Sequence, residues 1–401
     1  MTRPRLLFVV ESGCDVRLVE GLAERFELEV LARRIVGGRE INHPPPASVR
    51  VTVGPASRVG FARMVLARLL RGAPRPDFVL VQGYAMAALA ANIAARVRGT
   101  PTAMLVCSPV EAYYECRRQH PSPGMRYRRR EILGLGMLAR VNARLGSRYL
   151  VLSEHLADVV RGHGARRVDV VPLYGVVLRL FAPSPESRDE ARERMGLPRD
   201  GALLFFSSRV APEKDAETLL RALAVLRQQG RDVRLLHRSG AWKQFVADAE
   251  RFGVAEWVLA SDPLRPGPEL ARAYRACDVC VQASRAEGLG FSVLEALACG
   301  VPVVATAVGG LRETIRDGET GWTYPVGDHL ALANAIADAL DRPEEARRRA
   351  ETGRRMVADH YARDLAFARF AQVVDSSVVG PGAESRSGLN AGPAAWHGTG
   401  L

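Results

Sequence analysis

Lysine is almost missing from this chain of 401 residues. Of its 56 basic side chains only Lys214 and Lys243 are lysine, and all the others are arginine. Aromatic side chains are also sparse, at 6%. The basic stretches therefore lack the interleaved stacking rings of a nucleic-acid binder, and no recognition motif replaces them, which argues against a nucleic-acid partner. No apolar run approaches the roughly 18–20 residues of a helical membrane span, which argues against an integral membrane protein. The opening Met1-Thr2-Arg3-Pro4-Arg5-Leu6 has neither a long apolar region nor a small-residue cleavage site, so secretion is not expected. The six cysteines (14, 107, 116, 277, 280 and 299) are thinly spread, which suits a reducing cytoplasm. Cys277 and Cys280 form one CxxC without a second ligand pair; they read as buried strand thiols, and zinc is not indicated.

What is present is ordinary globular composition, 47% hydrophobic and 25% charged, at a length that suggests two domains. The charge is unevenly placed. Residues 1–175 hold 27 arginines against 14 acids, while the rest of the chain holds 29 basic and 30 acidic side chains. Between Arg117 and Arg148 nine arginines meet one acid, Glu131. A basic surface confined to one half points to an anionic partner or a membrane surface there. Arginine in place of lysine, with abundant alanine, suggests GC-rich, bacterial coding. A lysine at a motif position is therefore not background.

The first half opens with a buried-strand pattern over 5–10. Further strand patterns fall at 28–31, 49–53, 78–81, 102–107, 149–152 and 168–171, with helical spacing between several of them. The second half repeats the rhythm at 203–206, 233–236, 257–259, 279–282 and 303–305. Alternating strand and helix gives α/β with a parallel, doubly wound sheet in each half. The expected architecture is two Rossmann-like domains facing across a cleft, joined by a linker at 180–185. The expected bounds are 1–178 for the first domain and 179–360 for the second. A helix over 361–379 would cross back to the first, and a disordered Gly/Ser/Ala/Pro tail would occupy 380–401.

Two segments carry chemistry. The first, Ser284 to Gly300, passes from a strand through a glycine-rich turn into a helix. Glu287 lies in the turn and Glu295 on the helix, and the amides of the helix start suit an anion. Ser292-x-x-Glu295 also has the spacing of a capping box, which would explain Glu295 without a ligand. The second segment runs from Phe205 to Asp215. Arg209 stands at a strand end and Lys214 just before a helix, so both could hold a diphosphate and neutralise a leaving group. The competing reading is a surface pair of Lys214 with Glu213 or Glu217.

On these residues the second half resembles the donor domain of retaining glycosyltransferases of the GT-B fold, family 4 (glycosyl transferases group 1). Glu287 and Glu295 match that family's E-x7-E signature. Ala298 to Thr306, Val308 to Glu313 and Asp317 to Gly321 follow as its later segments do, and Arg209 and Lys214 match its Arg-x4-Lys pair. The resemblance implies that Arg209 and Lys214 bind the nucleotide diphosphate, Glu295 the ribose and Glu287 the sugar hydroxyls. Gly288, Leu289, Gly290 and Phe291 would line sugar and phosphate, and Gly13 of the first domain would lie near the phosphates. No metal and no cofactor is implied beyond the nucleoside-diphosphate sugar, with a UDP-sugar favoured. The sequence departs from the family at Ser208 and Asp215, where glycine is usual, at Leu236 to Gly240, and at Leu173-Tyr174, where asparagine is usual. The first domain reads Cys107-Ser108-Pro109 where many members have a histidine, and His120 sits in a proline-rich loop.

From about Gly124 to Gly146 the chain could form a helix with Arg126, Arg128, Arg129 and Arg130 crowding its start, an arrangement that suits anionic headgroups. The combined expectation is a cytoplasmic glycosyltransferase that moves a hexose, or a modified hexose, to an acceptor hydroxyl with retention. The acceptor would belong to envelope glycolipid, polysaccharide or secondary-metabolite synthesis, with peripheral docking on the inner face of a membrane suggested by the charge. The alternative is a non-enzymatic sugar-nucleotide or membrane-surface binder on the same scaffold.

Overall fold

The computed structural model describes residues 3–121 and 127–378. Arg126 and the 380–401 tail lie outside the described residues. Strands β1 (Arg5–Val10), β2 (Glu27–Arg33), β3 (Arg50–Gly54), β4 (Phe78–Gln82), β5 (Thr102–Val106), β6 (Arg148–Val151) and β7 (Val168–Val170) form one sheet. Their order is β3-β2-β1-β4-β5-β6-β7 and every pairing is parallel. Leu6 to Val10 are all fully buried, as a parallel strand covered on both faces requires, and that is why they read as an unbroken apolar run.

A second sheet holds β8 (Ala202–Phe205), β9 (Val233–His237), β10 (Val258–Ala260), β11 (Val279–Gln282), β12 (Val303–Thr306) and β13 (Trp322–Tyr324). The order is β10-β9-β8-β11-β12-β13, again all parallel. Its core joins Leu204, Phe206, Leu235, Val281 and Val304 to Leu219, Leu223, Leu332 and Ile336 of the covering helices. Cys277 and Cys280 are buried beside and within β11, and burial pushes both thiols up. Strand β13 is absent from the sequence-based pattern, since Trp322-Thr323-Tyr324 lacks the aliphatic run that marks the other strands of this sheet.

The chain divides into two compact units, and their bounds differ from a single cut near residue 178. The first unit holds residues 1–107, 133–174 and 364 onward; the second holds 108–132 and 175–363. Residues 180–185 are not a free linker. Phe181 is buried in the second unit, edge-on to Tyr274 at 6.1 Å, because an apolar ring there has a core to enter. The chain passes between the units at 107–108, 132–133, 174–175 and 363–364. The C-terminal helix Arg363–Val378 packs in the first unit: Phe370 meets Phe26 and Phe78 edge-on at 5.5 and 6.3 Å, and the Phe367 ring lies against Gly21.

Candidate active site

In the second sheet β8 and β11 are neighbours in space although β9 and β10 separate them in sequence, with Leu204 opposite Val279 and Phe205 opposite Cys280. The strand order reverses there, and at such a switch point the loops leaving the carboxyl ends of two strands part and expose a crevice. The two loops are residues 206–215 and 283–290, the two motif segments of the sequence. Topology alone thus brings together residues more than 70 positions apart.

The first loop ends in one 3-10 turn, Pro212–Lys214, and then Asp215 at a φ of 48°. The Asp215 carboxylate accepts from the Thr218 amide and so caps the helix Ala216–Gln228, and it also accepts from the Thr218 hydroxyl at 2.7 Å. Aspartate tolerates this left-handed conformation, which explains how it can stand where the family places glycine. Arg285 of the second loop pairs with Asp215 at 2.9 Å, and its amide donates to the Glu213 carbonyl at 2.9 Å. The two loops are fastened to each other.

Lys214 pairs with Glu287 through Nζ and Oε2, and both side chains are nearly buried. The Glu287 carboxylate also accepts from the Tyr113 hydroxyl at 3.3 Å, from Gln282 Nε2 and Ser284 Oγ at 3.2 Å each, and from the Gly288 amide at 3.2 Å. Such donors satisfy the oxygens of a carboxylate taken out of water. Burial pushes the Tyr113 phenol well above its ordinary value, and the charges of Glu287 and Glu213 add to that, so it stays a donor.

Arg209 is half-exposed and donates to Glu213 Oε1 at 2.8 Å. Glu213 is wholly buried; Arg117 grips it through Nε–Oε2 at 3.0 Å and Nη2–Oε1 at 2.7 Å. Burial alone would raise this carboxyl, but Arg117 and Arg209 outweigh it and hold it below its ordinary value. The surface pairing considered for Lys214 is therefore not what forms. Glu213 goes to two arginines, Glu217 pairs with Arg221, and Lys214 reaches across to Glu287.

The helix Phe291–Ala298 starts after Gly290, whose φ of 88° makes it the cap. The capping-box explanation of Glu295 fails on this point. Ser292 lies inside the helix and its hydroxyl donates to Gln282 Oε1 at 3.2 Å. Glu295 instead accepts from the buried Tyr274 hydroxyl at 3.0 Å, which also lies 3.0 Å from Ser207 Oγ of the first loop. A Cβ on Gly310 would sit 2.1 Å from the Gly288 carbonyl oxygen, so the turn after β12 packs directly on the loop holding Gly288, Leu289 and Gly290.

Two families of sequence model match the chain: a glycosyl transferase 4-like domain over residues 16–175, and glycosyl transferases group 1 over 187–356. Together they span most of it. The chain belongs to the group 1 glycosyltransferases. One relative is a D-inositol 3-phosphate glycosyltransferase of Thermobispora bispora, 34% identical over 235 residues, or 56% of this chain and 53% of that one. The chain thus spans about half the length of the curated relatives it matches. Among solved structures, sucrose-phosphate synthase from Thermosynechococcus elongatus superposes with a TM-score of 0.76 at 22% identity, covering 93% of this chain and 98% of that one. Anabaena HepE, in complex with UDP and glucose, gives 0.70 at 18% identity, covering 93% and 100%. The fold of this glycosyltransferase family member is GT-B, built of two parallel α/β units.

The remaining expected residues lie apart from this cluster in sequence. Gly13 follows β1 in the first unit at a φ of 88°. Arg128, Arg129 and Arg130 are exposed at the start of the helix Arg129–Leu145, where the Arg128 amide donates to Glu131. His120 is exposed. Sequence reasoning missed Tyr113, Arg117, Gln282 and Tyr274 as parts of the cluster. Gln282, two residues before the motif, was the one with a local signal: a polar side chain ending a buried strand. Among the described residues no group of His, Cys, Asp and Glu could hold a metal ion, and no helix is long and apolar enough to cross a membrane.

Proposed function

We propose that this chain is a glycosyltransferase that moves a hexose, or a modified hexose, from a nucleoside diphosphate to an acceptor hydroxyl with retention of configuration. The observation that carries the reading is the meeting of Lys214 and Glu287 at the β8–β11 switch point. A sugar diphosphate offers each of them a better partner. The phosphates take the ammonium of Lys214 and the free N–H groups of Arg209, and the sugar hydroxyls donate to Glu287. Charge growing on the departing diphosphate is then stabilised by two fixed cations, so the step asks for no metal. The departing phosphate oxygen accepts the acceptor's proton on the same face. Glu295 receives the ribose hydroxyls, and the backbone from Gly288 to Phe291 contacts sugar and phosphate. That HepE binds UDP supports a UDP-sugar, and a relative acting on an inositol phosphate supports an anionic acceptor.

The test is nucleotide release from UDP-, GDP-, ADP- and TDP-sugars without acceptor. Release from one donor is expected, reduced at least about a hundredfold by Lys214→Ala. Binding of a donor with no turnover under any acceptor would favour a sugar-nucleotide binder instead.

A second reading concerns location. The helix Arg129–Leu145 exposes Leu133, Met137 and Val141, four residues apart on one face, with Arg128, Arg129 and Arg130 at its start. An apolar stripe beside a basic cluster is the pattern of a helix lying on an anionic lipid surface. On this reading the protein works on the inner face of a membrane.

A further inference from the structure

The Arg209–Glu213 pair raises an electrostatic difficulty for the function proposed above. Glu213 lies within hydrogen-bond reach of Arg209, and an arginine paired to a buried carboxylate has no net charge to offer a diphosphate. Arg117 resolves it. Its guanidinium forks both Glu213 oxygens, at 3.0 and 2.7 Å, and it comes from the helix Val110–Gln119, about a hundred residues earlier in the chain.

We propose that Arg117 is a positioning residue for the donor diphosphate, acting through Glu213 to leave Arg209 its positive charge; this rests on the donor reading. The three groups carry plus, minus and plus, and the net single charge appears on the one member that is half-exposed. Glu213 is fully buried and Arg117 nearly so, so neither can compete for the phosphate. The bidentate fork also fixes the carboxylate plane, so Glu213 Oε1 orients the Arg209 head while leaving its other N–H donors for a ligand. Arg117 is held in turn by its surroundings. Its guanidinium lies 5.9 Å from the Tyr127 ring, and that ring stacks on Tyr114 of the same helix at 3.9 Å.

A purely structural role, pinning the helix 110–119 to the 3-10 turn, predicts different mutant behaviour. Titration calorimetry with UDP, GDP, ADP and TDP, with a thermal melt of each variant, separates the two. Arg117→Met should weaken binding of the preferred diphosphate by at least about tenfold, because Arg209 is then neutralised. Adding Glu213→Gln to Arg117→Met should restore most of that affinity, since removing the carboxylate frees the Arg209 charge. Arg117→Lys, which keeps the charge and loses the fork, should bind more tightly than Arg117→Met. If Arg117→Met does not fold, Arg117→Gln takes its place in both comparisons. Binding by Arg117→Met within about twofold of the parent, or a double variant no tighter than Arg117→Met, overturns this inference alone. A parent that binds none of the four diphosphates overturns the donor reading, and this inference with it.

Discussion

At Tyr174 and Asp215 the backbone takes φ values of 83° and 48°, and both lie in stretches where the sequence departs from the family it resembles. At Asp215 the side chain also caps the helix that follows. His237, in the stretch that departs from the family's glycine-rich turn, is an instance of a residue whose chemistry follows from burial. Its ring stacks on Phe245 at 4.2 Å and its Nδ1 lies 2.9 Å from the Phe206 carbonyl oxygen. Burial holds its pKa below the ordinary 6.5, against the opposing effect of that hydrogen bond. The folded chain therefore keeps His237 neutral where the unfolded chain would already protonate it. Its stability contribution is complete above pH 6.5 and is lost as pH falls from there toward the folded value. His237→Phe keeps the stack and removes the proton site. Melting temperatures at about pH 7.5 and 5.5 should therefore differ less in the variant than in the parent; an unchanged difference would assign the acid sensitivity elsewhere. Lys214 was legible at this scale because lysine is so scarce. Arg117 was not, since its partner is distant in sequence and arginine is everywhere in this chain.

The turn at Gly309-Gly310 and the loop of Gly288 to Gly290 behave as one packed element. An added methyl at Gly310 would meet backbone, the Gly288 carbonyl, which cannot swing aside as a side chain could. Gly310→Ala should cost roughly 1–3 kcal/mol and weaken donor binding together with stability, because the loop it displaces begins at Glu287. Gly134 in the helix Arg129–Leu145 has no atom near its would-be Cβ and an ordinary φ. Gly134→Ala should therefore raise stability by about 0.5–1 kcal/mol. Parallel denaturation curves give both signs in one experiment. Elements of this kind were readable to different degrees. The long helices and apolar strands announced themselves by period, whereas the start of the helix at Phe291 did not. There the serine three residues before Glu295 gave a capping pattern, and the glycine that actually caps gives none beyond its conformational freedom.

For the whole molecule, the sequence showed two parallel α/β halves and the charge carried by the first, but not how the chain is shared between the units. Residues 108–132 belong to the second unit because Tyr113 and Arg117 find buried carboxylates there, and no local period reports such partners. The uneven charge has a measurable consequence. With each basic residue near an anionic surface contributing about 1 kcal/mol, the protein should sediment with phosphatidylglycerol vesicles at low salt and not with phosphatidylcholine alone. Glutamine at positions 128, 129 and 130 should lower that binding and its salt dependence. Serine at Leu133 and Met137 should lower the binding while leaving the salt dependence in place. Vesicle binding unaffected by either set would remove this helix as the docking surface.

The loan of residues 108–132 to the second unit bears on how such proteins could exchange specificity. A recombination that joined the first 174 residues of one relative to the remainder of another would set a foreign helix 110–119 against the recipient's loops 206–215 and 283–290. Glu213 and Glu287 would then meet whatever stood in place of Arg117 and Tyr113. The two halves are therefore not interchangeable cassettes. A hybrid built at Tyr174-Gly175 must carry residues 108–132 from the source of the second unit and residues 364–378 from the source of the first.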